Sequence, residues 1–438
     1  MSQWLDSLTT WLAANPQWLG LAIFLIACIE CLAIAGIIVP GTVLLFAVGV
    51  MAGNGALGLW ETLALAYFGG LLGDAISYAL GRYFHQDIRR LPGLRSHPQW
   101  LNGAQTYFER YGVASLLLGR YIGPLRPMLP MVAGMLSMPI GRFIAVSMLA
   151  AAGWAIAYLL PGWAAGAALR LPLPAGFWPQ AAVVAAGLAL LLILTIQSSL
   201  REQHQASLIA AGLGAILLLA LFIGWPHLIQ LDQGLMTLIQ EERNPRFDHV
   251  AVLITHFGDF DVQLAVAILL CVLLLLARKW QALLFASGAM LSTALANGAL
   301  KGLFERARPD VLLEPLSTYS FPSGHSSAAF AFFLVTAVLA GRGQPARLRL
   351  TWILLACLPA LSIALSRVYL GVHWPSDIIA GALLASSLCA LSLALMQRYA
   401  SLPPLPTKVW GVVVPSCVVL LTSLALWRMS AGVEIYRY

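Results

Sequence analysis

The chain runs to 438 residues, of which 60% are hydrophobic and only 10% charged, with a mean hydropathy of +0.84. Soluble domains carry about 25% charged residues, so this composition excludes a soluble globular protein and describes a polytopic membrane protein. The formal net charge of +7 would suit nucleic acid, but the basic residues sit in short loops between apolar runs. Membrane topology accounts for them, and no nucleic-acid partner is expected.

The N-terminus has no basic region and carries Asp6 before the first apolar run, so no cleavable signal peptide is expected. Residues 3–14 read as an interfacial helix, with Trp4, Leu5, Leu8, Trp11 and Leu12 on one face. A membrane run from Trp18 to about Ile38 follows and carries Glu30, an acid that is costly in hydrocarbon. Pro40-Gly41 breaks the helix, and the next apolar piece, Val43 to Met51, is too short to span. This pattern predicts a re-entrant hairpin.

The next span is expected over 60–82, with Gly69-Gly70-x-x-Gly73 for close helix packing and Asp74 inside it. The stretch 82–110, with Arg82, Arg89, Arg90, Arg95 and Arg110, is the most basic loop of the first half and is placed in the cytoplasm. A second broken segment follows: Ala114 to Gly119, then Arg120-Tyr-Ile-Gly123-Pro124-Leu-Arg126-Pro127, then Met128 to Met138. Arginines among prolines and apolar residues require a water-filled or protein-lined cavity, so a second re-entrant hairpin is expected. Spans over 142–169 and 177–198 close this half. Glu30, Pro40-Gly41 and the Arg120 to Pro127 run resemble the DedA family of membrane proteins over about residues 10–200. The resemblance implies lipid transport across the bilayer, using Glu30, Arg120 and Arg126. Where the family often has an acid after its Pro-Gly, this chain has Thr42, and Asp74 is the substitute considered. The bland alternative is that Glu30 and Arg120 form a structural ion pair.

The polar stretch Gln197 to Ser207 separates the halves, giving domains over 1–200 and 205–438. Further spans are expected over 208–225, 262–277, 282–301, 326–341, 351–367, 376–396 and 408–427, with 226–249 amphipathic and lying on the surface. The six cysteines, Cys28 and Cys31 at redox-motif spacing included, all fall in apolar segments. Packing is their expected role, with no disulfide framework and no metal site.

Three short motifs open or close apolar runs in the second half: Lys301-x6-Arg308-Pro309, Pro322-Ser323-Gly324-His325 and Ser366-Arg367-x5-His373-x3-Asp377. Lys301, Arg308 and Arg367 supply three positive charges for phosphate oxygens, and arginine's planar fork fits them bidentately. Ser323 and the Gly324 N–H sit at a helix start, where an anion is favoured. His373 is the expected nucleophile, Asp377 one turn on fixes its tautomer, and His325 protonates the leaving group and then activates water. His85, His97, His204, His227, His249 and His256 are expected to be ordinary residues, although His256-Phe-Gly258-Asp259 is also weighed as a substrate entrance. Basic loops at Arg278-Lys279, Arg342 to Arg349 and Arg398 to Lys408 place the motifs on the opposite, periplasmic or extracellular face.

Together the motifs resemble the three-part signature of the type-2 phosphatidic acid phosphatase superfamily, and the family's assignments fall on the same residues. The fold class expected is an all-α polytopic membrane protein: re-entrant hairpins plus transmembrane helices, then a lipid-phosphate-phosphatase bundle. The resemblance implies a cofactor-free lipid phosphatase of a bacterial inner membrane acting through a phosphohistidine. Its substrate would be undecaprenyl pyrophosphate in preference to phosphatidic acid, phosphatidylglycerol phosphate or a lipid A phosphate. The alternative is a lipid phosphate transporter with an accessory phosphatase. A structural scaffold would not need a complete acid, base and cation set at one face. Oligomeric state is not legible.

Overall fold

The computed structural model describes residues 7, 10–33, 35–84, 98–121, 126–170, 173–200, 205–313 and 316–437. Secondary structure among these is entirely helical, with nine helices long and apolar enough to cross a membrane. A further pair, Phe247–His256 and Phe260–Leu276, bends by 45° and passes the same test together. The chain is therefore a multi-pass helical membrane protein. It divides into two compact units, Met1–Pro172 and Leu173–Tyr438.

In the first unit, α1 (Leu19–Cys31) and α2 (Gly41–Met51) are too short to span and meet around a break that includes Pro40. The long α3 (Leu59–Tyr83) is the central support; α1 packs along it, with Gly69 and Gly73 against the backbone carbonyls of Phe24 and Cys28. Any side chain at those two glycines would collide with backbone, which is why the small residues are there. After α4 (Pro98–Tyr111) come two more short pieces, α5 (Val113–Leu118) and α6 (Met128–Met135), and then the spanning α7 (Ile140–Arg170). Both expected broken segments are present. Of the interfacial segment, Thr10 to Ala14 are helical; Trp4, Leu5 and Leu8 lie outside the described residues, as do Arg89, Arg90, Arg95, Gly123 and Pro124.

The second unit contains α8 (Phe177–Leu200), α9 (Ala206–Gly224), α10 (Ile229–Glu241), α11 (Pro245–His256), α12 (Phe260–Leu276) and α13 (Trp280–Phe304). It continues through α14 (Gly324–Gly341), α15 (Ala346–Tyr369), α16 (Pro375–Tyr399) and α17 (Thr407–Ile435). Helix α8, expected to close the first half, packs in this unit: Gln180 accepts from the Leu231 N–H and Gln230 from the Gly176 N–H. The segment 226–249 is also more than a surface strap. Helix α10 buries Leu231, Asp232, Gly234, Met236 and Leu238. Hydrogen bonds from Ser323 to Asp377, Asn297 to Pro322 and Arg308 to Val372 bring the C-terminal ends of α13 and α15 and the N-terminal ends of α14 and α16 together. All three motifs lie there.

Candidate functional site

Each motif is held by helix-end geometry. Helix α16 begins at Pro375, so the chain leaving His373 turns into helix within two residues. Asp377 then lies in the first turn, where Oδ2 accepts from the Trp374 N–H at 2.8 Å and faces His373 Nδ1 at 3.2 Å. Arg306 donates to Oδ1 and the Trp374 N–H to Oδ2, so both Asp377 oxygens act as acceptors, Nδ1 carries the hydrogen and Nε2 the lone pair. Arg308 Nη1 approaches that lone pair at 3.3 Å. Ser323 caps α14 by accepting from the Ser326 N–H, while its own N–H donates to the Asp377 carbonyl at 3.0 Å. The second motif is thereby tied to the third.

The three cations converge on this point without carboxylate partners among the described residues. Lys301 Nζ donates to the Tyr319 carbonyl at 2.6 Å. Arg308 donates to the carbonyls of Thr318 and Val372 at 2.7 and 2.6 Å. Arg367, 2% exposed, donates to Thr255 Oγ1 and to the Tyr436 hydroxyl at 2.9 and 2.8 Å, and its Nε has no partner. Burial, and then Arg308, Arg367 and Lys301, push the His373 pKa well below its ordinary value. Burial and the neighbouring Arg367 likewise lower Arg308 to about 10. Positive charge is thus gathered around one buried histidine.

Further residues here lie outside the three motifs, and of these only His256 and Asp259 are weighed from the sequence, as part of a substrate entrance. Arg306 lies between two carboxylates, donating to Asp377 Oδ1 at 2.7 Å and to Asp232 Oδ2 at 2.6 Å. Asp232 is fully buried and also accepts from the Ser376 N–H and hydroxyl. On the other side, Asp259 meets both His325 and His256. His256, expected to be an ordinary loop residue, is 4% exposed and belongs to this cluster. His227 and His249 are exposed; His85, His97 and His204 lie outside the described residues. An acid inside an apolar or amphipathic helix was the available signal for Asp232. Tyr436 and Thr255 offered none.

In the first unit Arg126 pairs with Glu30 and Arg120 with Asp74, all four nearly inaccessible. Thr42 Oγ1 lies 3.5 Å from Glu30. Arg120 also stacks on Trp154 at 4.9 Å, and Arg126 on Tyr158 at 5.3 Å. A small cavity lined by Asp74, Arg120, Arg126 and Ser147 has room for about one water molecule.

A chain with broken helices around buried ion pairs in one unit, and a cation-lined histidine site at helix ends in the other, defines a two-part membrane protein. Its two parts have families: the VTT domain matches residues 39–164 and the PAP2 superfamily residues 281–401. The chain thus joins a VTT (DedA) domain to a PAP2 superfamily domain. It is 38% identical over 152 residues to the inner membrane protein YabI of Escherichia coli, covering 35% of this chain and 60% of YabI. An uncharacterized membrane protein of Buchnera aphidicola (subsp. Schizaphis graminum) is 33% identical over 172 residues, 39% of this chain and 67% of its own. The chain spans about 60% of the length of several of the curated relatives it matches. Among solved structures, the PAP2-type phosphatidylglycerolphosphate phosphatase of Bacillus subtilis is 27% identical, with TM-score 0.39, covering 42% of this chain and 96% of that one. LpxE of Aquifex aeolicus is 28% identical, with TM-score 0.30, covering 36% and 92%.

Proposed function

We propose that the second unit is a membrane lipid phosphatase working through a phosphohistidine, with its site on the periplasmic face of a bacterial inner membrane. The observation that carries this reading is the convergence of three cations, without carboxylate partners among the described residues, on a histidine whose Nδ1–H is held by Asp377. Lys301, Arg308 and Arg367 neutralise the phosphate oxygens, and His373 Nε2 attacks the terminal phosphorus as its bond to the leaving oxygen breaks, the lipid's own oxygen in a phosphomonoester and the bridging oxygen in a pyrophosphate. His325 protonates that oxygen, then takes a proton from the water that cleaves the phosphorus–nitrogen bond. Three cations serve the phosphate, so hydrolysis is expected to survive EDTA.

Undecaprenyl pyrophosphate is the favoured substrate, ahead of phosphatidic acid and phosphatidylglycerol phosphate. Hydrolysis would leave an anionic lipid in the outer leaflet, which cannot cross hydrocarbon unaided. The first unit offers Arg120 and Arg126 to that head group, with Glu30 and Asp74 as the carboxylates it displaces. The test for the phosphatase is phosphate release from a panel of lipid phosphates in detergent. The parent should turn over at least one of them, and His373→Ala should lose about 10⁴-fold or more together with all phosphoenzyme. A covalent phosphoprotein in His373→Ala would show that the nucleophile is another residue. For the transport half, Arg120→Lys and Arg126→Lys keep the charge and remove the planar fork. They should spare phosphatase activity but slow inward movement of the lipid in sealed vesicles; normal movement in both would leave the first unit needing another role.

A further inference from the structure

We propose that Asp259 is the positioning residue of the second histidine, fixing His325 in the one tautomer that can both protonate the leaving group and deprotonate water. The assignment rests on the phosphatase reading and extends it to a residue outside the three motifs.

Asp259 sits at the break between α11 and α12 and is 8% exposed. Its Oδ1 lies 2.9 Å from His325 Nε2, and its Oδ2 lies 2.7 Å from His256 Nδ1 and 3.0 Å from Arg428 Nη1. A carboxylate offers these rings only lone pairs, so His325 Nε2 and His256 Nδ1 both carry hydrogen. That leaves Nδ1 as the nitrogen of His325 that exchanges protons with the substrate. The two catalytic rings are thus mirror cases: Asp377 holds Nδ1 of His373 and frees Nε2, whereas Asp259 holds Nε2 of His325 and frees Nδ1.

Two further features show that the contact is built. Gly258 lets the backbone lie against the ring, for a Cβ there would come within 3.1 Å of His325 Cδ2, the carbon bonded to Nε2, and would collide with Ile363. His256 and Arg428 hold the carboxylate from its other oxygen. The electrostatics need it as well. To act as an acid, His325 must be an imidazolium among Lys301, Arg308 and Arg367, and like charges oppose that state. Among the described residues, Asp259 is the carboxylate in contact with His325 and supplies the opposing charge.

The steps balance without a further reactant. His373 Nε2 forms a bond to phosphorus, the bond from phosphorus to the lipid oxygen breaks, and that oxygen takes the proton from His325 Nδ1. His325 is then neutral, with Nε2–H still held by Asp259. Water next gives a proton to Nδ1 as its oxygen bonds to phosphorus, and the phosphorus–nitrogen bond breaks to release phosphate.

The test compares Asp259→Asn with the parent in detergent, measuring trapped phosphoenzyme and turnover on two substrates. Phosphatidate must expel an alkoxide, which needs a proton; p-nitrophenyl phosphate expels a phenolate that does not. Asp259→Asn should slow phosphoenzyme formation from phosphatidate by about 10²-fold, and from p-nitrophenyl phosphate by less than about threefold, with KM little changed. Hydrolysis of the phosphoenzyme should slow equally for both, and in a His325→Ala background the substitution should add almost nothing. Asp259→Glu should recover part of the phosphatidate rate and carries the same comparison if Asp259→Asn does not fold. Equal losses on both substrates, parental rates on phosphatidate, or full additivity with His325→Ala would overturn the assignment. A parent that hydrolyses neither substrate nor any lipid phosphate would remove the phosphatase reading and this assignment with it.

Discussion

The two units treat buried positive charge in opposite ways. In the first, each of the two buried arginines faces its own carboxylate: Arg126 with Glu30, Arg120 with Asp74. In the second, Lys301, Arg308 and Arg367 meet carbonyls, hydroxyls and one imidazole, while the nearby carboxylates go to Arg306, Arg428 and three histidines, His256, His325 and His373. A charge taken out of water costs several kcal/mol unless something compensates it. The first unit is therefore compensated as it stands; for the proposed transport, a pair would have to break before an anionic lipid replaced a carboxylate. The second gathers three cations that have no carboxylate in contact among the described residues, and under the proposed function a bound phosphate would relieve their repulsion. Paired charge in one unit and clustered like charge in the other follow from similar side chains, arranged differently.

The largest expected effect tests this contrast directly. Arg126→Ala removes one partner of a buried pair and leaves Glu30 alone, which typically costs about 3–5 kcal/mol. Arg308→Ala instead removes one of three like charges. Its cost in stability should be small beside that of Arg126→Ala, while turnover should fall by about 10²–10³-fold as a preorganised phosphate donor is lost. Thermal unfolding in detergent, read beside phosphate release, separates the two. Equal destabilisation by both substitutions would mean that the second unit's cations are compensated after all, and the comparison would fail.

How much of this was legible follows from the range of each interaction. The spans come from local hydropathy, and all ten runs expected from 60–82 onward correspond to long helices or to the bent pair. The motifs are local too: His373 and Asp377 are four residues apart, and their contact needs only a helix starting at Pro375. The supporting shell is not local. Asp232 reaches Ser376 across 144 residues, Arg367 reaches Tyr436 across 69, and Asp259 reaches His325 across 66. Spacing within a motif carries no trace of such partners, so His256 read as ordinary and 226–249 as a surface strap. The helix Phe177–Leu200 was assigned by its place in the chain, whereas Gln180 and Gln230 bond it into the second unit.

A smaller effect sharpens the comparison from the side of pH. In the proposed mechanism the attacking species is neutral His373, and burial together with Arg308, Arg367 and Lys301 disfavours its imidazolium. An ordinary histidine would begin to lose its lone pair below about pH 6.5. Here the acid limb of kcat/KM due to His373 should lie well below that, so activity should hold between pH 7 and 6. Stability moves with it. Below about pH 6.5 the unfolded chain binds a proton at this histidine that the folded chain refuses, so this contribution is full above that pH and shrinks as pH falls toward the folded value. Arg308→Ala removes one of the opposing charges and should move the acid limb toward neutral pH, whereas Arg126→Lys in the first unit should leave it in place. A limb at about pH 6.5 in the parent, unmoved by Arg308→Ala, would mean that the cations do not act on His373. The difference between the two units would then be one of geometry alone.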